Sequence, residues 1–448
     1  MKVSKEINAP RLLIFGYLGI IAVGTILLSL PIASHGISLV DALFTASSAL
    51  CVTGLIVKST ALDFTLFGKS IMLILIQIGG LGYMTLSTSF FFFLGRKISL
   101  RDRVLFKESI NFLTFENLTK FAWRVFKITI AFETAGTILL FFSFLERFDP
   151  LTAVGHAFFH SVSAFCNAGF SSFSENMALF SRSVSAPLVV ALLFIIGGVG
   201  FVVISDVYTT VIKKEKKKLA LHSKIVLKTT ILLIVIGTVF ILLYEGNKSL
   251  FGYSFFSKLS LSFFQAVTPR TAGFNTITIS LFSPLTLVLL MLFMFIGASP
   301  GGTGGGIKTT TFVVLVSWAK ELLLGRYGTD IPASKKRIPI EQAFRSFHIV
   351  ILSVSIVLGA FFLIVLVENQ SPLKVLFELF SAFGTVGLSL GSSINQVCSF
   401  SYDLSAVGKL LIVLVMIAGR VGTLTIGSAL LQPRPLEYSY PEEPIIIG

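Results

Sequence analysis

Eight apolar stretches constrain this chain more than any other feature of its sequence. A bilayer core about 30 Å thick takes about 20 helical residues, and backbone groups inside it must be hydrogen-bonded within the protein. The sequence therefore predicts an all-α polytopic membrane protein with eight transmembrane helices, of which the sixth is interrupted. The predicted spans are 12–33, 67–94, 121–144, 187–212, 225–244, 284–318, 346–367 and 405–431.

The composition excludes a soluble or a disordered chain. Hydrophobic residues make up 54% of the 448 residues, charged residues only 13%, and the mean hydropathy is +0.89. A soluble domain carries about 25% charged residues, and disordered chains are poor in aliphatic and aromatic residues. The three cysteines form no CxxC pair, so neither a disulfide framework nor a zinc site is predicted.

The basic residues indicate topology rather than nucleic-acid binding, although the net charge is +14. Of the 36 Lys and Arg, 25 lie in residues 1–11, 96–127, 213–228 and 320–345 and in the C-terminal tail. By the positive-inside rule, these segments and both termini are predicted to be cytoplasmic in a multi-pass cell-membrane protein. Contact with anionic lipid or a docking role for these basic runs is left open.

Four shorter apolar stretches lie between the spans, at 41–53, 155–168, 257–272 and 373–386. Each is too short to cross a bilayer and is predicted to be a re-entrant pore helix. The loops after them read VTGL, NAGF, TAGF and TVGL, and IGGLG, IGGVG, IGASPGG and IAGRVG follow in the next spans. This recurrence predicts four span–pore loop–span repeats, at 1–110, 111–224, 225–337 (with a broken second span and a gating loop) and 338–448 (with the tail).

One glycine in each loop suits a cation filter on a pseudo-fourfold axis: Gly54, Gly169, Gly273 and Gly387. Glycine permits backbone angles that are closed to other residues, so carbonyl oxygens can replace the hydration shell of a cation. No carboxylate lies in these loops, which argues against a ring of Asp or Glu. Close helix packing is the alternative use of such glycines.

The four loops, and especially FFQAVTPRTAGFN and FELFSAFGTVGLSLG, resemble the Trk/Ktr/HKT superfamily of potassium transporters and, within it, the KtrB-type membrane subunits. The resemblance runs from about Leu12 to Leu431 and implies potassium uptake through a channel-like pore. A glycine in every loop implies potassium rather than sodium conduction. The implied ion ligands are Val52, Thr53, Gly54, Asn167, Ala168, Gly169, Thr271, Ala272, Gly273, Thr385, Val386 and Gly387.

The resemblance also implies partners. These are a second copy of the chain, with one pore per protomer, and a cytoplasmic KtrA-like octameric ring of RCK subunits. That ring would bind ATP or ADP, whereas this chain is predicted to hold no cofactor beyond the transported potassium, with sodium as a further activator. The tail ends in IIIG, and we hypothesise that Ile445 to Gly448 dock at the dimer interface.

The sixth span contains GASPGGTGGGIKTTTF, which predicts a non-helical loop inside the membrane. Each Gly costs about 1 kcal/mol in a helix relative to Ala, and such backbone is tolerated only in a protein interior or a cavity. A P-loop is not predicted, because Ile307 precedes Lys308 and spoils the GxxxxGK register. The resemblance implies a gating loop here, and the predicted gate residues are Gly301, Gly302, Thr303, Gly304, Gly305, Gly306, Lys308 and Arg420.

Buried charges raise further alternatives. Arg420 is predicted to help the loop close the pore, or else to act only as a counter-ion; Lys308 is either a gate contact or a snorkelling residue. Arg270 is predicted to brace the third loop. Glu133 and Glu378 are proton relays or, as we favour, structural hydrogen-bond partners.

No catalytic constellation is legible, and His156 and His160 are predicted to pack rather than to bind metal, since HExxH is absent. The chain is predicted not to be an enzyme. A sodium-coupled symporter, a sodium-conducting member of the superfamily and a membrane enzyme with a phosphate-binding loop are the alternatives. The symporter is disfavoured because the repeats run in one direction and only one span reads as broken.

Overall fold

The computed structural model describes residues 9–82, 118–215, 218–326, 330–333 and 336–430. In these ranges the chain is almost entirely helical, and one order of elements occurs four times. A long first helix is followed by a short helix, a loop and a second helix. We call these four groups units 1 to 4.

The first helices are long and apolar enough to cross a membrane, as predicted. Only 22–33% of their most apolar windows is buried inside the protein, so most of their surface faces outward. Apolar side chains on that surface, such as those of Phe142 and Leu366, suit a lipid environment. The first helices are Ala9–Leu28, Leu118–Phe144, Leu221–Glu245 and Ile340–Val367.

The short helices have 12 to 16 residues, too few to cross the bilayer core, which confirms the predicted short apolar segments. Three of them begin at a capping side chain: Ser38, Asp149 and Ser254 each accept a backbone N–H three residues ahead. Their C-terminal residues are buried, so each helix runs from the surface into the interior. They are Leu39–Leu50, Pro150–Phe165, Phe255–Val267 and Pro372–Gly384.

The second helices are broken wherever both sides of the break are described. In units 2 and 4 the chain bends by 96° and 101°, at Gly200 and Gly422. The prediction of unbroken spans at 187–212 and 405–431 was therefore wrong, as was the inference that only the sixth span is clearly broken. Residues 83–94 of the second predicted span lie outside the described ranges. The segments are Leu66–Leu81; Ser185–Val199 with Phe201–Val207 and a π turn, Tyr208–Ile212; Pro284–Phe295 with Thr309–Leu323; and Ala406–Val421 with Thr423–Leu430.

Counting each bent pair as one span, the described residues contain up to six membrane-crossing elements by length and composition. The remaining elements are small. An antiparallel pair of strands, Ile331–Ala333 and Lys336–Ile338, connects units 3 and 4. Single 3-10 turns are Asn176–Phe180, Ile279–Leu281 and Phe400–Asp403.

The buried apolar side chains join the units into a closed ring. One cluster combines Phe44 and Met72 of unit 1 with Leu379 and Met416 of unit 4. Two further clusters join unit 2 to unit 3 and unit 3 to unit 4. The first cluster also includes Phe159 of unit 2, so each unit packs on the next and the fourth packs on the first. This arrangement directs the loops after the short helices toward one place.

Candidate ion pathway

The loops after the short helices share one unusual backbone shape. Each predicted filter glycine has a left-handed φ, between +71° and +92°, and so does the residue two positions before it, with φ between +50° and +70°. Such angles cost about 1–3 kcal/mol for a residue other than glycine, so the surrounding structure must hold them. The residues two positions before the glycines are Val52, Asn167, Thr271 and Thr385.

The four glycines face one another in a closed ring. A Cβ atom added to Gly54 would lie 2.5 Å from the carbonyl oxygen of the residue before Gly169. The same construction on Gly169, Gly273 and Gly387 gives 3.0, 2.3 and 2.3 Å to the equivalent carbonyl of the next unit. The last of these returns to unit 1, so the order is cyclic. The carbonyl oxygens belong to Ala168, Ala272, Val386 and Thr53.

This ring explains why glycine is needed at each position. A side chain there would strike the neighbouring loop's carbonyl and would also have to adopt a left-handed φ. A ring of backbone oxygens from four loops is the arrangement that replaces the hydration shell of a cation. Of the twelve predicted ligand residues, eleven are buried and Gly387 is partly exposed. The structure thus brings the whole predicted set together.

A repeated hydroxyl residue, which the sequence analysis missed, braces each loop. The backbone N–H of the residue before each glycine donates to the carbonyl of this hydroxyl residue, at 2.7–3.0 Å. In units 1 to 3 the hydroxyl itself donates to the carbonyl of the residue after the glycine, at 2.5–2.8 Å. In unit 4 it accepts the N–H of Gly387 at 3.0 Å. The bracing residues are Ser48, Ser163, Thr268 and Ser381.

The non-helical stretch predicted inside the sixth span is present as residues 296–308, between the two halves of the second helix of unit 3. A parallel bridge between Ile296 and Ile307 closes its base. Ser299 donates its N–H to the carbonyl of Gly198 at 3.0 Å, and Gly306 donates to Gly419 at 3.2 Å. The loop therefore lies against the second helices of units 2 and 4.

Arg420 links this loop to unit 1. Its guanidinium donates to the carbonyl oxygens of Thr303 in the loop and Gly79 in unit 1. Lys308 donates to the carbonyl of Gly304 at 2.7 Å. Both cations are therefore satisfied by backbone oxygens of the loop and its surroundings. Lys308 therefore contacts the loop directly.

A cavity of about 190 Å³ lies next to the loop. Gly301, Gly304, Lys308 and Arg420 form part of its wall. Glycines at which the second helices end or bend, Gly82 and Gly422, line it as well. An open space therefore borders the loop where the second helices turn away.

Comparison with known proteins agrees with this geometry. The TrkH family, described as cation transport proteins, matches residues 18–432. The chain belongs to this family. The predicted resemblance is therefore confirmed, and with it a membrane transporter rather than an enzyme.

Three similar proteins show how closely this chain resembles known members of the family. The Ktr system potassium uptake protein B of Vibrio alginolyticus is 37% identical, over 98% of this chain and 95% of its own length. The potassium/sodium uptake protein NtpJ of Enterococcus hirae is 34% identical, over 100% of this chain and 99% of its own. The crystal structure of the potassium transporter TrkH from Vibrio parahaemolyticus has a TM-score of 0.75 and 19% identity, covering 96% of this chain and 86% of that one. That last likeness establishes the TrkH fold.

Buried carboxylates of this TrkH-family chain lie behind the loops. Glu133 accepts a hydrogen bond from the amide nitrogen of Gln77 at 3.2 Å. The Cys166 thiol donates to the amide oxygen of the same Gln77 side chain at 3.3 Å. Glu378 accepts both the N–H and the hydroxyl of Ser401, at 2.9 and 2.6 Å. These contacts are of the predicted structural kind, because each carboxylate ties two neighbouring elements together.

The remaining predicted residues make local contacts. His156 and His160 hydrogen-bond to the hydroxyls of Ser172 and Ser171, at 2.6 and 2.9 Å, just beyond the loop of unit 2. Within the described ranges, no group of three or more metal-ligating side chains is found. The carbonyl of Arg270 accepts from the Asn167 amide at 3.4 Å. That contact involves the backbone of Arg270, so its predicted side-chain role is still a prediction.

The ends of the helical segments in the second helices of this TrkH-family chain also carry a recurrent sequence signal. Gly82, Gly200 and Gly422 each follow the last helical residue and have φ between +77° and +100°. They are the last glycines of IGGLG, IGGVG and IAGRVG. Their recurrence at one place in three units marks the end of a helical segment.

Proposed function

We propose that this chain is the ion-conducting membrane subunit of a Ktr-type potassium uptake system. Potassium passes through the ring formed by Thr53, Ala168, Ala272 and Val386, whose carbonyl oxygens take the place of its hydration water. The membrane potential drives uptake, at about 2.3 kcal/mol per charge for each 100 mV.

The observation that carries this proposal is the cyclic contact of four glycine loops, each facing the carbonyl of the next. Helix packing alone needs small residues at interfaces, but it needs neither four matching left-handed backbones nor a closed order around one point. The names of the potassium uptake relatives agree with potassium as the ion.

In the proposed architecture, the four units are tandem repeats of span, pore loop and span, with eight membrane crossings in all. The short helices are re-entrant and place the negative ends of their dipoles toward the ion. Both termini are cytoplasmic, following the distribution of basic residues. The loop at 296–308 is the gate, and Arg420 and Lys308 hold it below the ring.

The proposed assembly is a homodimer in the cell membrane, regulated by a cytoplasmic ring of RCK-type subunits that bind ATP or ADP. Support comes from the similarity to a Ktr system potassium uptake protein B over nearly the whole chain. The hypothesis that Ile445 to Gly448 dock at the dimer interface concerns residues outside the described ranges. An unchanged dimer after their deletion would overturn it.

Cation flux into liposomes tests the proposal. The purified chain and a variant lacking Gly302 to Gly305 are compared with potassium, rubidium and sodium at one fixed voltage. We expect the shortened variant to conduct potassium and rubidium faster than sodium. Equal flux of all three ions through the folded variant, or no flux, would contradict a four-loop filter.

Sodium-coupled transport is the second candidate, and two observations bear on it. A relative of 34% identity is named a potassium/sodium uptake protein. The bends at Gly200 and Gly422 mean that broken helices are more frequent than the sequence indicated, a feature of alternating-access transporters. Potassium uptake that stops when sodium is omitted, at constant voltage, would favour this candidate over a simple pore.

A further inference from the structure

Side chains that project from the left-handed positions of the ring contact three consecutive residues of the intramembrane loop. We propose that Asn167, Thr271 and Thr385 form a catch that holds this loop closed against the ring. The inference rests on the proposed function and adds to it the residues on the ring side that position the gate.

The contacts follow the order of the chain. The Thr303 hydroxyl donates to the amide oxygen of Asn167 at 3.1 Å. The Gly305 backbone N–H donates to the Thr385 hydroxyl at 2.9 Å. Gly304, between them, packs so closely that an added Cβ would lie 1.9 Å from the Thr271 hydroxyl oxygen. Successive loop residues thus meet units 2, 3 and 4 in turn.

The catch is a connected and buried network. The Asn167 amide nitrogen donates to the Thr271 hydroxyl at 3.1 Å, so the ring-side groups of units 2 and 3 are joined to each other. Asn167, Thr271, Thr303 and Thr385 are all fully buried. A polar group buried here without a partner is unfavourable, so departure of the loop requires water or an ion to replace its contacts.

Unit 1 differs from the other three because it contributes no polar side chain to the catch. Its left-handed position holds Val52, which has no polar group to offer the loop. The loop is tied to unit 1 through Arg420 and the carbonyl of Gly79 instead. The catch therefore holds the loop to units 2, 3 and 4, and Arg420 holds it to unit 1.

Val52 also supplies the substitution that tests the catch. A valine already occupies the left-handed position of unit 1, with φ of 57°, so Thr385→Val replaces a hydroxyl by a methyl group on a backbone that accepts valine. The change leaves every carbonyl of the ring in place. Thr303→Val removes the loop-side hydroxyl that donates to the amide oxygen of Asn167.

The experiment measures basal rubidium flux into liposomes that contain the full chain without its cytoplasmic partner. We expect Thr385→Val and Thr303→Val each to raise basal flux on the order of fivefold, which corresponds to the loss of one net hydrogen bond. The double variant should approach the product of the two increases. The ratio of potassium to sodium flux should be unchanged in all of them.

Thr25→Val is the matched control, because this buried hydroxyl in the first helix of unit 1 bonds, among the described residues, to the carbonyl of Ile21 in its own helix. Basal flux of the two catch variants at the level of this control, while the loop-shortened variant conducts, would overturn the catch alone. A rise accompanied by loss of potassium preference would also overturn it, since the ring itself would be damaged. Failure of the loop-shortened variant to conduct would overturn the proposed function.

Discussion

The proposed filter and the proposed gate are built on opposite plans. The filter uses the same few residues four times, with one glycine, one left-handed neighbour and one bracing hydroxyl in every unit. Among the described residues, the loop at 296–308 has no counterpart in units 2 and 4, and it makes a different contact with each of the other units. Repetition therefore serves the part that must surround an ion evenly, and a single insertion serves the part that must move.

The second helices show how the same repeated unit can carry both the filter loops and the loop at 296–308. In units 2 and 4 the helix stops at a single left-handed glycine and resumes at once after a bend. In unit 3 the break is widened to thirteen residues, 296–308, and this longer piece lies against the second helices of units 2 and 4. The proposed gate is an enlarged form of a break that units 2 and 4 also contain.

Replacement of a filter glycine should have the largest effect. In Gly273→Ser the new Cβ would lie 2.3 Å from the carbonyl oxygen of Val386, at a φ of +75°. We expect potassium flux to fall by roughly 100-fold, since strain and overlap of about 3 kcal/mol act on the ring itself. Liposome flux measures it.

Gly155→Ala is the control for this substitution. Gly155 lies in the short helix of unit 2, and outside the backbone of its own helix no described heavy atom lies within 4 Å of a Cβ added there. Flux through this variant should match the wild type. Wild-type flux and selectivity in Gly273→Ser would remove the ring from the conduction path.

Loss of Arg420 should raise the flux instead of lowering it, and by a smaller factor. Arg420→Ala removes the bonds to Thr303 and Gly79, and each bond from a charged donor contributes about 1.5–3 kcal/mol. Because water that enters the site replaces part of this loss, we expect a net effect equal to one such bond at its lower limit. Basal flux should then rise about tenfold, with the preference for potassium intact. The assay is rubidium flux without the cytoplasmic partner.

Arg420→Lys separates charge from geometry. Lysine keeps the positive charge but not the planar fork that reaches two carbonyls at once. If the tie between the loop and unit 1 matters, this variant should also leak, whereas a purely electrostatic barrier predicts wild-type flux. Unchanged kinetics in a folded Arg420→Ala variant would contradict any gating role.

Removal of one bracing hydroxyl should have a moderate effect on selectivity. Ser163→Ala deletes the bond to the carbonyl of Phe170, worth about 1 kcal/mol. We expect the ratio of potassium to sodium flux to fall by about threefold, because the loop of unit 2 loses part of its support. Ser143→Ala is the control, since within the described part of the chain that hydroxyl bonds to the carbonyl of Leu139 in its own helix.

The smallest effect is expected for Glu133→Gln. Glutamine keeps the shape and an oxygen that accepts from Gln77. Flux should remain within about twofold of the wild type across the pH range of stability, as for a structural contact of roughly 0.5 kcal/mol. A large loss of uptake in this variant would favour the proton-relay alternative over the structural one.

Much of the architecture follows from the sequence, because apolar length and repeated glycines are strong physical signals. The first helices, the short helices and the interruption before Thr309 were all predictable from them. The bends were not recognised, because a lone glycine such as Gly200 costs a helix only about 1 kcal/mol and does not by itself indicate a break.

The bracing residues and the catch were missed for a different reason. Hydroxyls in membrane helices commonly bond to their own helix, as Thr25 does, so Ser163 or Thr268 gave no distinct signal when read singly. The pairing of Thr303 with Asn167 joins residues 136 positions apart. Such contacts depend on the closed order of the four units, which repeats in a sequence suggest but do not specify.

The most direct test of the central claim is anomalous diffraction from crystals of the protein grown in rubidium and, in parallel, in rubidium with an excess of sodium. The account predicts a rubidium peak on the axis among the carbonyl oxygens of Thr53, Ala168, Ala272 and Val386, and a peak that the excess of sodium does not displace. Rubidium bound elsewhere, with the ring empty in protein that transports the ion in liposomes, would contradict it.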